Sequence, residues 1–141
     1  MSTPNERPST WIQDHIKIYL DNPEEGHMWS GAPTLLLTTK GRTTGDLNTT
    51  PLIYGQDGDR YLLVASRGGA PRNPGWYRNL VKNPDVEIQL KDDRFPARAR
   101  TATSEEKGAL WEIMTKIWPA YDEYQTKTSR DIPVIVVERQ A

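Results

Sequence analysis

The chain has 141 residues, 18 basic against 19 acidic, a length that suits one domain burying about 70% of the surface its unfolded chain exposes. It has no cysteine, which excludes disulfides, thiolate catalysis, zinc–sulfur sites and iron–sulfur clusters. The N-terminal MSTPNERPST lacks the apolar core of a signal peptide, and no apolar run approaches the roughly 20 residues of a membrane span, so the cytoplasm is the expected compartment.

Residues 1–8 read as a loose polar tail. Ser9 or Thr10 can cap a helix running to about Leu20, with Ile12, Ile16, Tyr19 and Leu20 at helical spacing. Such a helix packs on the domain, or else lies on a partner or on the inner face of the membrane. Only Lys17 and His15 favour a lipid surface, so packing is the expected role. Residues 21–33 read as a loop. Three strands follow, at 34–39, 49–56 and 60–66, with Pro51 marking an edge or a bulge in the second. A turn with glycine at both ends (41–45) joins the first two, and Asp57-Gly58-Asp59 signals a hairpin between the last two.

Pro74 suits the start of a short helix over 75–81, which Asn83-Pro84 ends. Residues 85–90 and 95–101 alternate with period two and are joined by a turn at 91–94. Thr103 and Glu106 form a capping box for a helix whose buried stripe is Leu110, Ile113, Met114 and Ile117. Pro119 forces a kink before a second helical piece over 120–127. Residues 132–138 are a last strand, apolar enough to lie centrally. The order α-βββ-α-ββ-α-β, joined mainly by hairpins, predicts a mainly β, α+β fold: a small, mostly antiparallel barrel with peripheral helices. The expected division is a tail (1–8), a helix and loop (9–32) and a barrel domain (33–141).

Charge is uneven along the chain. Residues 40–82 carry seven basic and three acidic side chains, a positive segment in a slightly acidic protein. A focused positive region suits a small anion better than a nucleic acid, and no nucleic-acid surface is expected. The only histidines, His15 and His27, have no H-x-x-x-H pairing, and no metal site is expected. No G-x-S-x-G elbow occurs. The glycine-rich turns fit neither the Rossmann nor the P-loop spacing, yet their backbone N–H groups can converge on an anion. Thr43, Thr44 and Ser66 add hydroxyls there, and Arg42 and Arg67 add guanidinium forks. Ordinary turns with solvated arginines are the plain alternative. Trp76 and Tyr77 either cover an aromatic ligand or pack in the core. Trp118, Tyr121 and Tyr124, at spacing three, form either a core stripe or the aromatic wall of a pocket.

Five pieces together resemble the deazaflavin (coenzyme F420)-dependent nitroreductase and quinone reductase family of actinobacteria. They are LLLTTKGRTTG (35–45), TPLIYG (50–55), VASRGGAPRNPGWYRNLVKNP (64–84), WPAYDEYQ (118–125) and IPVIVVE (132–138). The resemblance implies a flavin-reductase-like split β-barrel and reduced coenzyme F420, a deazaflavin with a ribityl phosphate and a lactyl-oligoglutamate tail. It also implies hydride transfer to a planar electrophile such as a quinone, an activated enone or a nitroaromatic. By the same resemblance Arg42, Thr43, Thr44 and Asn48 meet the phosphate and tail, and Thr49, Thr50, Pro51, Leu52 and Ile53 run along the deazaflavin and its chain. Val64, Ala65, Ser66 and Arg67 form the next wall, Gly75, Trp76, Tyr77, Arg78 and Asn79 close over the cofactor, and Tyr121 reaches it from the C-terminal helix. Ile53, Trp118, Tyr121 and Tyr124 line the expected substrate pocket, and Ser66, Tyr121 and Tyr124 are the candidate catalytic donors. Thr43 stands where the family turn often has lysine, Asn48 where it can have arginine, and Ile53 and Trp118 where some members carry pocket tyrosines. Two other readings fit: an FMN-binding split-barrel oxidoreductase, and a carrier that binds F420 without turnover.

Overall fold

The computed structural model describes residues 9–29 and 31–140. In chain order it runs through α1 (Ser9–Asp21), α2 (Pro23–Gly26), β1 (Met28–Trp29), β2 (Ala32–Lys40), β3 (Leu47–Ile53), β4 (Gly55–Asp57) and β5 (Arg60–Val64). A 3-10 turn (Arg67–Gly69) follows, then α3 (Gly75–Lys82), β6 (Asp85–Leu90), β7 (Asp93–Thr101), α4 (Ser104–Ile117), α5 (Ala120–Thr126) and β8 (Val134–Arg139). The expected tail and the capping side chains of Ser9 or Thr10 fall outside what is described. The region expected as a loop at 21–33 instead contains α2 and β1. Among the described residues no helix is long and apolar enough to cross a membrane.

Every strand pairing is antiparallel, in the order β1-β2-β6-β7-β8-β5-β4, with β3 also paired to β2. The strand expected over 49–56 is two strands, because its halves have different neighbours. β3 ladders onto β2 from Leu47 opposite Lys40 to Ile53 opposite Thr34, and β4 ladders onto β5 from Gly55 opposite Leu62. Only Tyr54 separates the halves, so pairing continues around a ring through this break. Pro51 lies in β3, whose described ladder is to β2 alone, in keeping with an edge position.

Alternation along the strands sorts side chains into two cores. Leu63, Ile135 and Val137 face the barrel interior with Leu35, Leu37, Ile88 and Phe95. Leu62, Val64, Val134 and Val136 point outward and pack with Leu110, Met114 and Tyr121 of α4 and α5. The capping box that starts α4 is present: the Glu106 amide donates to the Thr103 hydroxyl (3.2 Å), and the Thr103 amide donates to the Glu106 carboxylate (2.9 Å). Arg100 donates to the same carboxylate, holding it well below the usual carboxylate range. Gly55 lets α4 lie over the break in the ring, because a Cβ there would sit 2.6 Å from Met114 Sδ.

α1 packs on the barrel. Tyr19 is fully buried, and its hydroxyl donates to the Thr34 carbonyl (3.0 Å) while accepting from the Lys91 amide (2.7 Å) at the tip of the β6–β7 hairpin. Gly26 brings α2 onto the Tyr19 backbone, where any Cβ would overlap the Tyr19 Cα. Replacing Tyr19 by Phe strands the half-buried Lys91 amide and removes a donor from the buried Thr34 carbonyl. We expect a loss of about 1–3 kcal/mol in denaturant unfolding, and an unchanged midpoint would contradict this account of α1.

Candidate functional site

Where β3 parts from β5, a cleft of about 1010 Å³ opens. Thr50, Pro51, Leu52 and Ile53 form one wall, and Val64 at the end of β5 with Ser66, Arg67 and Gly68 just after it form another. The 41–45 turn with Asn48, the start of α3 with Trp76, Arg78 and Asn79, and the aromatics Trp118, Tyr121 and Tyr124 complete it. Among the described residues its lining includes three arginines, Arg42, Arg67 and Arg78, and no Asp or Glu.

The 41–45 turn is closed by backbone bonds from Gly41 to Asp46 (2.8 Å) and from Gly45 to Gly41 (3.0 Å), with Gly45 at φ +80°. It is held from α3. The buried Asn79 side chain accepts from the Arg42 amide (3.2 Å) and guanidinium (2.8 Å) and donates to Thr39 Oγ1 (3.1 Å). Lys82 donates to the Arg42 carbonyl (2.8 Å). Asn79 therefore fixes how Arg42 stands at the cleft. Asn48 donates its side-chain amide to the Asp46 carbonyl (3.1 Å), tying it to the turn.

The turn after β5 is strained in a specific way. Arg67, Gly68 and Gly69 have φ of +47°, +64° and +85°, three left-handed residues in succession, one of them not glycine. Glycine is required at 69 on a second ground, since a Cβ there would lie 2.5 Å from the Tyr124 carbonyl. Arg130 ties this turn from outside the cleft lining, donating to the Ala65, Ser66 and Ala70 carbonyls and to Asn73 Oδ1. Burial and the nearby Arg67 charge lower its pKa.

Two buried hydroxyls in the cleft wall have no hydrogen-bond partner among the described residues: Ser66, which does not cap the turn it precedes, and Tyr121. The Tyr121 ring stands edge-on to Tyr124, centroids 6.0 Å apart, and is tilted against Trp111. Burial, then the neighbouring Tyr124 charge, pushes its phenol pKa up. Trp118 donates to the Tyr124 hydroxyl (3.4 Å). An unpaired buried hydroxyl costs about 1–3 kcal/mol, a cost that a bound partner would remove.

Of the residues singled out from sequence, three stand off the cleft. Thr49 points away on β3 and meets the Thr38 hydroxyl (2.8 Å). Ala65, between two cleft residues on an extended chain, faces the barrel core. Tyr77, next to Trp76 on α3, turns toward Thr101 Oγ1 (2.8 Å) and the barrel. The others line the cleft. Sequence reasoning missed Arg130, and it missed Ile12 and His15, through which α1 contributes to the wall. The helical spacing of Ile12 and Ile16 was the available signal for a packed α1, but nothing marked which barrel opening it would meet.

The family model for F420H(2)-dependent quinone reductase matches residues 11–139. The chain belongs to this family. An F420H(2)-dependent quinone reductase of Mycobacterium tuberculosis is 42% identical, with 94% of this chain and 98% of that protein covered. A second, putative one from the same species is 43% identical, with 74% of this chain and 88% of that protein covered. Among solved structures, an F420-H2 dependent reductase superposes with a TM-score of 0.70 at 41% identity, covering 75% of this chain and 94% of its own. A chain described as a domain-swapped dimer superposes with a TM-score of 0.72 at 36% identity, covering 93% and 99%. The fold is thus a split β-barrel of the flavin-reductase type, and the protein is an F420H2-dependent reductase whose hydride donor is reduced F420.

Burial raises the phenol pKa of Tyr19, to about 12, and of Tyr54 and Tyr121. A raised folded value stabilises the fold fully below the unfolded value of about 10, and that stability is lost as pH climbs through the folded values. We therefore expect stability to decline above about pH 10. The high-pH tyrosinate absorbance should lose a late step in Tyr121→Phe. If that variant instead loses a step near the ordinary tyrosine value, Tyr121 is not shielded as described.

Proposed function

We propose that this cleft holds reduced F420 and presents it to a quinone or similarly planar electrophile. The observation that carries the reading is the composition of the lining: among the described residues it has three arginines and no Asp or Glu, beside two buried hydroxyls that find no partner there. The cofactor's phosphate and glutamate tail need cationic forks and backbone donors, which Arg42, Arg67, Arg78 and the glycine turns can provide. Its flat ring needs an apolar, water-poor setting, which Pro51, Leu52, Ile53, Val64 and Trp76 can provide. On these grounds the residues fit the group.

Bound in this way, reduced F420 supplies a hydride from its deazaflavin ring. The protein's own part is to orient and to answer charge. Thr43, Thr44 and Asn48 lie with Arg42 in the wall assigned to the anionic part of the cofactor, while Gly75 and Asn79 shape and hold that wall from α3. Reduction leaves negative charge on the quinone oxygens. Ser66, Tyr121 and Tyr124 carry hydroxyls suited to meet it, and Ile53 and Trp118 flank the acceptor. Tyr121 and Ser66 are the stronger donors, because their hydroxyls have no other partner among the described residues. Orientation can contribute about 7–11 kcal/mol in ideal cases, more than one general acid at roughly 10²–10⁴-fold, so no single hydroxyl is expected to be indispensable.

Mixing the protein with reduced F420 and a soluble quinone should reoxidise the cofactor at a rate set by the protein. Arg42→Ala and Arg78→Ala should each weaken F420 binding about tenfold in fluorescence titration, more at low salt than at high. Tyr121→Phe should lower kcat/KM by about tenfold, short of a lone acid's contribution. Absence of reoxidation with quinones would overturn the reading, and an unchanged kcat/KM would remove Tyr121 from the donors.

A further inference from the structure

We propose that Arg130, in the link between α5 and β8, is a positioning residue that presets the 66–70 turn for the cofactor, an inference that rests on the functional reading above. Its side chain makes four donations: Nε to the Ala70 carbonyl (2.8 Å), Nη1 to the Ala65 carbonyl (3.2 Å) and Asn73 Oδ1 (2.6 Å), and Nη2 to the Ser66 carbonyl (2.7 Å). Three backbone carbonyls of one turn thus converge on one planar fork. Lysine, a point charge on a flexible stem, cannot reproduce that spread.

The turn has reason to need such a hold. Arg67 sits at φ +47°, where a side chain is disfavoured, and two more left-handed residues follow. Strain of this kind persists only where the surroundings over-determine it. Of the groups this wall turns to the cleft, Arg67 is placed there by the strained backbone itself, and Ser66 immediately precedes it. Arg130 itself is absent from the lining, so it acts through them.

Arg130 also has no carboxylate partner among the described residues. Its charge rests against carbonyl dipoles and an amide oxygen. An Asp or Glu in that place would hold the guanidinium equally well but would cancel the positive field beside Arg67. Carbonyls hold it and leave the field in place, which suits a wall that must attract an anion. The same turn abuts the Tyr124 carbonyl through Gly69, so its position also sets the spacing to the aromatic segment.

The test uses Arg130→Lys in the full chain, alone and combined with Arg67→Ala. Without cofactor, amide exchange at residues 67–70 should quicken about tenfold while β8 amides keep their wild-type rates. The F420 Kd by fluorescence titration should rise about tenfold, and the double variant should bind no more weakly than the weaker single variant, because both changes act on one device. Wild-type turn exchange, a Kd within about twofold of wild type, or full additivity overturns the proposal. If Arg130→Lys fails to fold, Asn73→Ala removes one of the four bonds and must still quicken turn exchange and weaken F420 binding, by about threefold. Wild-type behaviour of that variant overturns the proposal as well. Arg67→Ala alone separates the two claims. If it leaves F420 affinity unchanged, the functional reading fails. If it weakens binding while Arg130→Lys does not, only the positioning role fails.

Discussion

One segment of chain has to serve two neighbours. β3 pairs with β2 and β4 pairs with β5, and only Tyr54 lies between them. The change of partner closes the ring of strands, but it leaves β3 diverging from β5, and the cleft lies in that gap. Gly55, just past the break, removes the one side chain that would keep α4 away, and Met114 and Ile117 cover the joint from outside. The barrel is sealed on the side that faces α4 and open on the side that faces solvent.

Both loops at the opening are then fixed by polar side chains from distant parts of the chain. Asn79 holds the 41–45 turn through Arg42 and Thr39, and Arg130 holds the turn after β5 through its carbonyls. In neither case is the cation balanced by a carboxylate among the described residues. Amide and carbonyl oxygens give orientation without neutralisation, so geometry and positive potential are kept together. The proposed anion site depends on that combination, since backbone donors and arginine forks act most strongly where neither charge nor position has to be reorganised on binding.

Much of this was legible in the residues. The period-two runs at 85–90 and 95–101, the Asp57-Gly58-Asp59 hairpin, the Thr103–Glu106 box and the apolar stripe of α4 are local signals, and each formed as read, with the first strand residue of β7 moved back to Asp93. The break at Tyr54 was not legible, because it reflects which strands lie alongside rather than any local preference. At the cleft, glycine spacing and arginine content pointed to loops that line it, but not to which neighbours in the chain face inward. Alternation could have set Ala65 apart from Val64 and Ser66, and helical geometry could have turned Tyr77 away from Trp76. Arg130 left no local trace, since its four acceptors lie 57 to 65 residues earlier.

F420 is proposed to bind in this cleft, between its two cationic glycine turns. Amide hydrogen exchange with and without F420 tests it most directly. Bound F420 should protect the 41–45 turn, residues 66–70 and the start of α3, with the outer face of α4 and the β6–β7 hairpin tip unchanged. Protection confined to surfaces away from the cleft, with these three segments exchanging as in the free protein, would contradict it.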